Sequence, residues 1–370
     1  MKITRIEPIL YDAGRCGVWC FVRVETDEGV TGIGESSTTD PFMAASVIAR
    51  LAEWMAERDP SRIQEMWQQA YHRYFNVRGG NLLLCAISGI DHALWDIKGK
   101  VAGLPVYELL GGAVRDRVPV YVNHMFFGDG LAYEPAAWAE RAAAAVARGF
   151  KAIKIDPYGS LHDYATPAQL RHATAIVQAV RDAIGPDIEL AVDSHARFAI
   201  GTAIRAGRAL DGLDLLFFEE PVPPENVDAL RRVRQTLAMP LASGERVYTK
   251  WGFRALLEAQ AVEVIQPDVA HCGGIFEARL IAAQAESHYV QVAPHNWYGP
   301  VALAASLQLD ACTPNLLIQE QPLLHEETSA QRDLLATPLQ IDDGALVVPR
   351  GAGLGITLNE EVLAAHRLVS

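Results

Sequence analysis

The sequence predicts an α/β protein: a (β/α)8 TIM-type barrel in the C-terminal part of the chain, preceded by an N-terminal α+β capping domain. Three observations carry this. From Val118 onward, eight short apolar runs alternate with helical patterns, as in a parallel sheet wound with crossover helices. Three of these runs end in a carboxylate at a constant interval, Asp193, Glu219 and Glu245, where 219 − 193 = 26 and 245 − 219 = 26. That repeat fits one strand, one helix and two loops. The stretch before Val118 has a different character, rich in β pattern first and in helix afterwards. The expected division is residues 1–115 for the capping domain, 116–325 for the barrel, and 326–370 for a C-terminal segment returning to the capping domain.

Taken in order, residues 1–35 read as β. KITRIEPIL alternates, VWCFVRVET is strongly β-forming, and Asp27-Glu28-Gly29 supplies a turn before VTGIGE, as hairpin chemistry requires. Helical patterns follow at about 42–58, 61–75 and 81–101, the last stopped by Gly103 and Pro105. The eight barrel strands are VPVYVN, KAIKID, IELAVD, DLLFFE, PLASGE, VEVIQPD, YVQVAP and NLLIQE. Between them lie runs such as PAAWAERAAAAVARG and TPAQLRHATAIVQAVRDAIG. The second has Thr166 as N-cap, Pro167 in the first helical position and Gly185 past its end. After Glu320 the chain is loop-rich, with a short strand in ALVVP and glycines at 351, 353 and 355.

Bulk properties narrow the function. With 370 residues, half of them hydrophobic, the chain can bury a large core. Its formal net charge of −13 argues against nucleic acid or an anionic membrane as partner. An anionic small molecule stays open, because a bound metal and a few basic groups can invert the local field. The five cysteines (16, 20, 85, 272 and 312) are odd in number and scattered, which suggests a reducing compartment. The first residues start directly as a strand, without the apolar core of a signal peptide, and no apolar run approaches a membrane span. A soluble cytoplasmic protein is expected.

Active sites of this fold lie at the C-terminal ends of the strands. Those ends deliver Asn123 or His124, Lys154 and Asp156, Asp193, Glu219, Glu245, Asp268, His295 and Glu320 to one mouth. Crowding so many ionisable groups is costly, so function explains it better than architecture. Asp193, Glu219 and Glu245 offer oxygen ligands with no Cys or His interleaved, which suits a hard divalent cation, Mg²⁺ first. His124 reads as structural, with substrate binding as the second reading. Glu220 faces the opposite side of its strand from Glu219 and is assigned to packing or a salt bridge.

Several segments together carry a resemblance: AISGIDHALWDIKGK, PVYELLGG, DSH, FFEEP, SGER, IQPDVAHCGG, APHNWYGP and GLGI. In this order the chain resembles the enolase superfamily, in its mandelate racemase-like subgroup, and within it the acid-sugar dehydratases of the galactonate dehydratase type. The resemblance implies that Asp193, Glu219 and Glu245 bind Mg²⁺ and that Lys154 and Glu320 contact the substrate carboxylate. It further implies His295 as base, backed by Asp268, and His195 as general acid. The implied reaction is Mg²⁺-dependent loss of water from a sugar acid, through α-proton abstraction and an enediolate, to a 2-keto-3-deoxy acid. Loops near Arg15–Trp19 and Tyr71–Arg78 would touch the distal hydroxyls, and relatives are commonly homo-oligomers. One departure matters. Many relatives carry Lys-x-Lys on the second strand, the second Lys being a base, whereas this chain has Lys154-Ile155-Asp156. That disfavours a two-base racemase unless Asp156 substitutes. The alternatives are an isomerase on the same site (an epimerase, or a cycloisomerase of a lactone or anhydro-sugar acid) and a catalytically idle barrel serving as a binding or regulatory protein.

Overall fold

The computed structural model describes residues 1–38, 40–123, 133–322 and 329–368. The chain opens with an antiparallel meander of β1 (Ile3–Asp12), β2 (Val18–Thr26) and β3 (Thr31–Glu35). Against it pack α1 (Pro41–Met55), α2 (Ile63–Arg73) and the long α3 (Asn81–Ala102), followed by the short α4 (Val106–Leu109). The glycines of TGIGE explain how β3 meets α3. A Cβ on Gly32 would sit 2.0 Å from the Ala93 carbonyl oxygen, and one on Gly34 would sit 1.9 Å from that of Gly89. Only glycine permits so close an approach of strand to helix. The helix is therefore almost wholly buried from Leu83 to Ile97.

The alternation expected from Val118 is present. The strands are β4 (Arg117–Val122), β5 (Ala152–Ile155), β6 (Glu189–Asp193), β7 (Phe218–Glu219), β8 (Leu241–Ser243), β9 (Val264–Ile265), β10 (Gln291–Val292) and β11 (Gln319–Gln321). The intervening helices are α5 (Pro135–Ala147), α6 (Pro167–Ile184), α7 (Ile200–Ala209), α8 (Val227–Arg234), α9 (Thr249–Glu258), α10 (Ile275–Glu286) and α11 (Pro300–Ala311). Thr166 caps α6 in a capping box, accepting from Gln169 N while Gln169 Oε1 accepts from Thr166 N at 2.8 Å. Such a cap contributes about 1 kcal/mol.

Parallel pairing runs in order from β4 to β10, and β11 pairs with β4. Between β10 and β11 the contact narrows to a single parallel bridge, Val292 to Leu316, with Leu317 N donating to Val292 O at 2.7 Å. The ladders of β9 and β10 are shorter than the apolar runs VEVIQPD and YVQVAP suggest. Pro267 and Pro294 lack an N–H, which cuts both strands off just past the paired residues.

Inside the barrel, Tyr121, Ala152, Ala191, Phe217, Ala242, Val264, Ala293 and Ile318 form a closed apolar layer. Strand side chains repeat with period two. Moving two residues along each strand gives Asn123, Lys154, Asp193, Glu219, Gly244, Gln266, His295 and Glu320. The polar layer above the apolar floor is thus set by strand geometry alone.

The C-terminal stretch is shared between both halves. After α12 (Ser329–Arg332), the hairpin of β12 (Ile341–Asp342) and β13 (Ala345–Val347) pairs antiparallel with β4, extending the barrel sheet. The chain then runs to the N-terminal layer, where Leu354 N donates to Asp96 Oδ1 at 2.9 Å. Its final helix α13 (Glu360–His366) is held by Arg23 to Glu360 at 2.7 Å and by Leu368 N to Leu10 O at 2.9 Å. No helix among the described residues is long and apolar enough to cross a membrane.

Candidate active site

Asp193 and Glu219 close β6 and β7 in register as a paired couple. Glu245 joins them differently. Gly244 occupies the interior position after Ala242, and its φ of +149° turns the chain so that Glu245 meets the other two. Carboxylate oxygens of the three lie within 4.8 Å of one another. Lys154 Nζ is 2.9 Å from both Glu219 oxygens, 3.0 Å from Glu320 Oε1 and 3.5 Å from Asp193 Oδ2. Burial works against its charge, but Glu219 and Glu320 hold its pKa well above the ordinary lysine range. Burial and the Asp193 charge push Glu219 well up. Burial opposes the ionisation of Asp193, yet His195 and Lys154 hold its pKa below the usual range. Three carboxylates, Asp193, Glu219 and Glu320, therefore share the ammonium of Lys154, and Asp193 Oδ2 makes no hydrogen bond among the described residues. An all-oxygen donor set with excess negative charge and an unsatisfied oxygen fits a hard divalent cation.

His295 lies on the Glu245 side. Its Nδ1 donates to Asp268 Oδ2 at 2.6 Å, which leaves Nε2 facing Glu245 Oε2 at 3.5 Å and Glu320 Oε2 at 3.7 Å. Burial lowers its basicity, but Glu320, Glu245 and Asp268 outweigh that and raise the pKa to about 10. A cation on Glu245 would cancel part of that pull. Glu320 is fixed by Asn123 Nδ2 and by the Asn296 backbone N–H at 2.9 Å.

His195 lies on the Asp193 side. Its Nδ1 is 2.8 Å from Asp156 Oδ2, and its Nε2 is 3.4 Å from Asp193 Oδ2. Arg197 also donates to Asp156 Oδ2 at 2.7 Å, while Tyr158 N donates to Asp156 Oδ1 at 3.0 Å. Burial opposes the imidazolium, but Asp193, Asp156 and Glu245 raise its pKa to about 9. His195 and Ala196 both adopt left-handed backbone, with φ of 46° and 51°. The turn is pinned by His195 N to Asp193 Oδ1 at 2.7 Å and Ala196 N to Glu220 O at 2.8 Å. Such strain persists only where surroundings enforce it, as at functional sites. Two His–Asp dyads thus present their Nε2 atoms to opposite members of one carboxylate cluster.

Comparison with known proteins agrees with this geometry. Residues 137–362 match the family described as enolase C-terminal domain-like. Residues 16–111 match the mandelate racemase / muconate lactonizing enzyme N-terminal domain. The chain belongs to the enolase superfamily. Within that superfamily it is similar to a D-galactonate dehydratase of Variovorax paradoxus (strain S110), 39% identical over 98% of this chain and 93% of the relative. It is also similar to a D-gluconate dehydratase of Thermoproteus tenax, 36% identical over 99% of this chain and 74% of the relative. Among solved structures, an enolase superfamily member from Salmonella Typhimurium superposes with a TM-score of 0.93 at 32% identity, covering 98% of this chain and 97% of that one. The 3,6-anhydro-D-galactonate cycloisomerase from Zobellia galactanivorans superposes with a TM-score of 0.89 at 30% identity, covering 100% of both chains.

For this enolase superfamily chain, the structure gathers Lys154, Asp193, His195, Glu219, Glu245, Asp268, His295 and Glu320 at one end of the barrel. His124 lies outside the described residues. Glu220 makes the salt bridge foreseen for it, to Arg246, and Ala196 N and Ser194 Oγ bond to its carbonyl. The loop at residues 16–19 lines a cavity of about 440 Å³ together with Thr38, Asp40, Trp297 and Tyr298. Tyr298 lies edge-on to His295, with ring centroids 6.4 Å apart. Tyr71 stacks between Trp67 and Trp251. Sequence reasoning passed over Arg197, which shares Asp156, and Gln266, whose buried amide has no hydrogen-bond partner among the described residues. Gln266 was findable by counting two residues from Val264; Arg197 left no signal.

Proposed function

We propose that the protein is a hydro-lyase that removes water from a sugar acid, an aldonate or aldarate, to give a 2-keto-3-deoxy acid. The observation that carries this is the pair of His–Asp dyads on either side of the carboxylate cluster. Dehydration next to a carboxylate needs a base for the C2 proton and an acid for the departing C3 hydroxyl. His295 supplies the base: Asp268 holds its Nδ1 proton, and a cation on Glu245 would offset the carboxylate field that favours the imidazolium, leaving Nε2 as the acceptor. His195 supplies the acid, with Asp156 stabilising its protonated form. Lys154 and Glu320 orient the substrate carboxylate, and the Lys154 charge favours the enediolate over the starting acid.

Asp193, Glu219 and Glu245 would hold Mg²⁺, whose charge would offset the second negative charge that develops when the proton leaves. We place this activity in the cytoplasm, a compartment that keeps cysteine side chains as thiols.

The similarity to the cycloisomerase favours one second reading, an isomerase using the same proton abstraction on a different leaving group. Incubating the Mg²⁺-loaded protein with a panel of hexonates, pentonates and aldarates, then trapping 2-keto acids with semicarbazide, separates the two. A semicarbazone is the expected product. Conversion of substrate to an isomer without any 2-keto acid would establish the isomerase instead.

A further inference from the structure

The two loops that carry Asp268 and His295 are bonded to the N-terminal layer rather than only to the barrel. Along the loop from β9 to α10, His92 Nε2 lies 3.0 Å from Val269 O and His271 Nε2 lies 3.2 Å from Ser37 O. Gly273 N donates to Ser88 Oγ at 3.0 Å, Trp67 Nε1 donates to Gly273 O at 2.8 Å, and Ile275 N donates to Asp91 Oδ1 at 2.7 Å. The loop after His295 ends on Glu35, the last residue of β3. Glu35 Oε1 accepts from Gly299 N at 2.6 Å and Oε2 accepts from Ala302 N at 2.8 Å, while Ser37 Oγ donates to Oε1 at 2.6 Å. A Cβ on Gly299 would lie 2.7 Å from Glu35 Oε1, so glycine is what lets the carboxylate reach the helix. By contrast, Arg197, Tyr158 and Glu220, which hold His195 and Asp156, all belong to the barrel.

We propose that Glu35 is a positioning residue for His295: the N-terminal layer sets the geometry of the base dyad, whereas Arg197, Tyr158 and Glu220 of the barrel hold the acid dyad. Glu35 is completely buried and supplies, from another part of the chain, the cap that α11 lacks in its own sequence. A carboxylate at a helix N-terminus satisfies N–H groups that no helical carbonyl can reach, and the helix dipole favours its charge. Those bonds fix Gly299 four residues beyond His295, and hence the path of the backbone from which the imidazole projects. Displacements of about 1 Å at a reacting group cost on the order of 10²-fold in rate. The inference rests on the reading above in which His295 takes the C2 proton.

The test is E35Q, which keeps the side chain's volume but replaces one acceptor by a donor facing a backbone N–H. Purified enzyme is assayed with a turned-over sugar acid carrying either hydrogen or deuterium at C2. We expect kcat/KM to fall roughly 10–100-fold, KM to change little, and the isotope effect on kcat/KM to rise above wild type as proton abstraction becomes slower. A role confined to stability would only reduce the active fraction, leaving KM and the isotope effect at wild-type values; that result overturns the proposal. D96N is the control, since Asp96 anchors Ile33 and Leu354 and touches neither base loop. An isotope effect raised equally in D96N would also overturn it. If E35Q does not fold, S37A removes one of the three bonds to Glu35 and should shift the isotope effect in the same direction. A second arm needs no substrate. The His295 Nδ1 proton, shared with Asp268, should give a far-downfield NMR resonance, identified by its loss in H295N. That resonance should move or broaden in E35Q and stay fixed in D96N; no change in E35Q refutes the positioning role. Should wild type turn over no sugar acid, the proposed function fails while this arm still decides the role of Glu35.

Discussion

Replacing Asp156 by Asn tests the acid half of the site most directly. Asp156 Oδ2 bonds His195 Nδ1 at 2.8 Å, and burial, Asp193, Asp156 and Glu245 together set the His195 pKa near 9. A divalent cation on Asp193 and Glu245 would spend much of their field, which leaves Asp156 as the main support of the imidazolium. A hydrogen bond to a charged partner contributes roughly 1.5–3 kcal/mol, equivalent to about 10–150-fold in rate. The upper part of that range is expected, because Arg197 would remain beside His195 with its carboxylate partner gone. The assay is NMR in D₂O, following C2–H exchange and 2-keto acid formation in the same sample. Dehydration should slow by that factor, whereas C2–H exchange should continue near the wild-type rate because His295 is untouched. Equal losses in exchange and dehydration would refute the division of labour between the dyads.

Other outcomes follow from the same geometry. H195N should block loss of water yet keep C2–H exchange, and H295N should abolish both, each loss being about 10²–10⁴-fold; NMR of the two variants reads this directly. Chelation should abolish activity and Mg²⁺ restore it, while E219Q should stay inactive at any Mg²⁺ concentration with an unchanged circular dichroism spectrum. Full turnover in demetallated enzyme would end the metal assignment. Stability should fall as pH rises toward 8 and level off above it. Burial raises Asp91 to about 8, so the folded chain keeps a proton that the unfolded chain has released, and that contribution is lost as pH climbs through 8. Burial lowers His92 to about 4, which costs stability only as pH drops below the ordinary histidine range. The slope is at most about 1.4 kcal/mol per pH unit per group, and D91N should flatten it in a scanning fluorimetry series.

The barrel is legible because its strands are apolar on both faces and end in charge, so both the period and the terminus of each strand can be read. Asp193 and Glu219 follow from that register. Harder to read is any residue whose place depends on a local break in the period. Glu245 is one beyond the interior position and reaches the cluster only through the φ of +149° at Gly244. Pro267 and Pro294 lie inside runs that otherwise look like full strands, and the hydrogen-bonded ladders stop before them. The contact of Glu35 with Gly299 spans 264 positions of sequence, and no local pattern announces a bond of that length.

Asp156 shows how a substitution at one position alters what the site can do. A second base on the face opposite His295 would need a free acceptor, and the Lys-x-Lys pattern would have provided one. In this chain Oδ2 of Asp156 accepts from His195 and Arg197, and Oδ1 accepts from Tyr158 N. With both oxygens engaged and a guanidinium 2.7 Å away, the carboxylate is poorly placed to accept a carbon-bound proton. What Asp156 can do is hold a protonated imidazole. Under the proposed reaction, Asp in place of Lys withdraws the group that two-sided racemisation requires and would support the one that a departing hydroxyl requires. On this argument, deuterium should enter only one C2 epimer of a non-eliminating analogue. Equal entry into both epimers would mean that Asp156 gives up its partners during turnover.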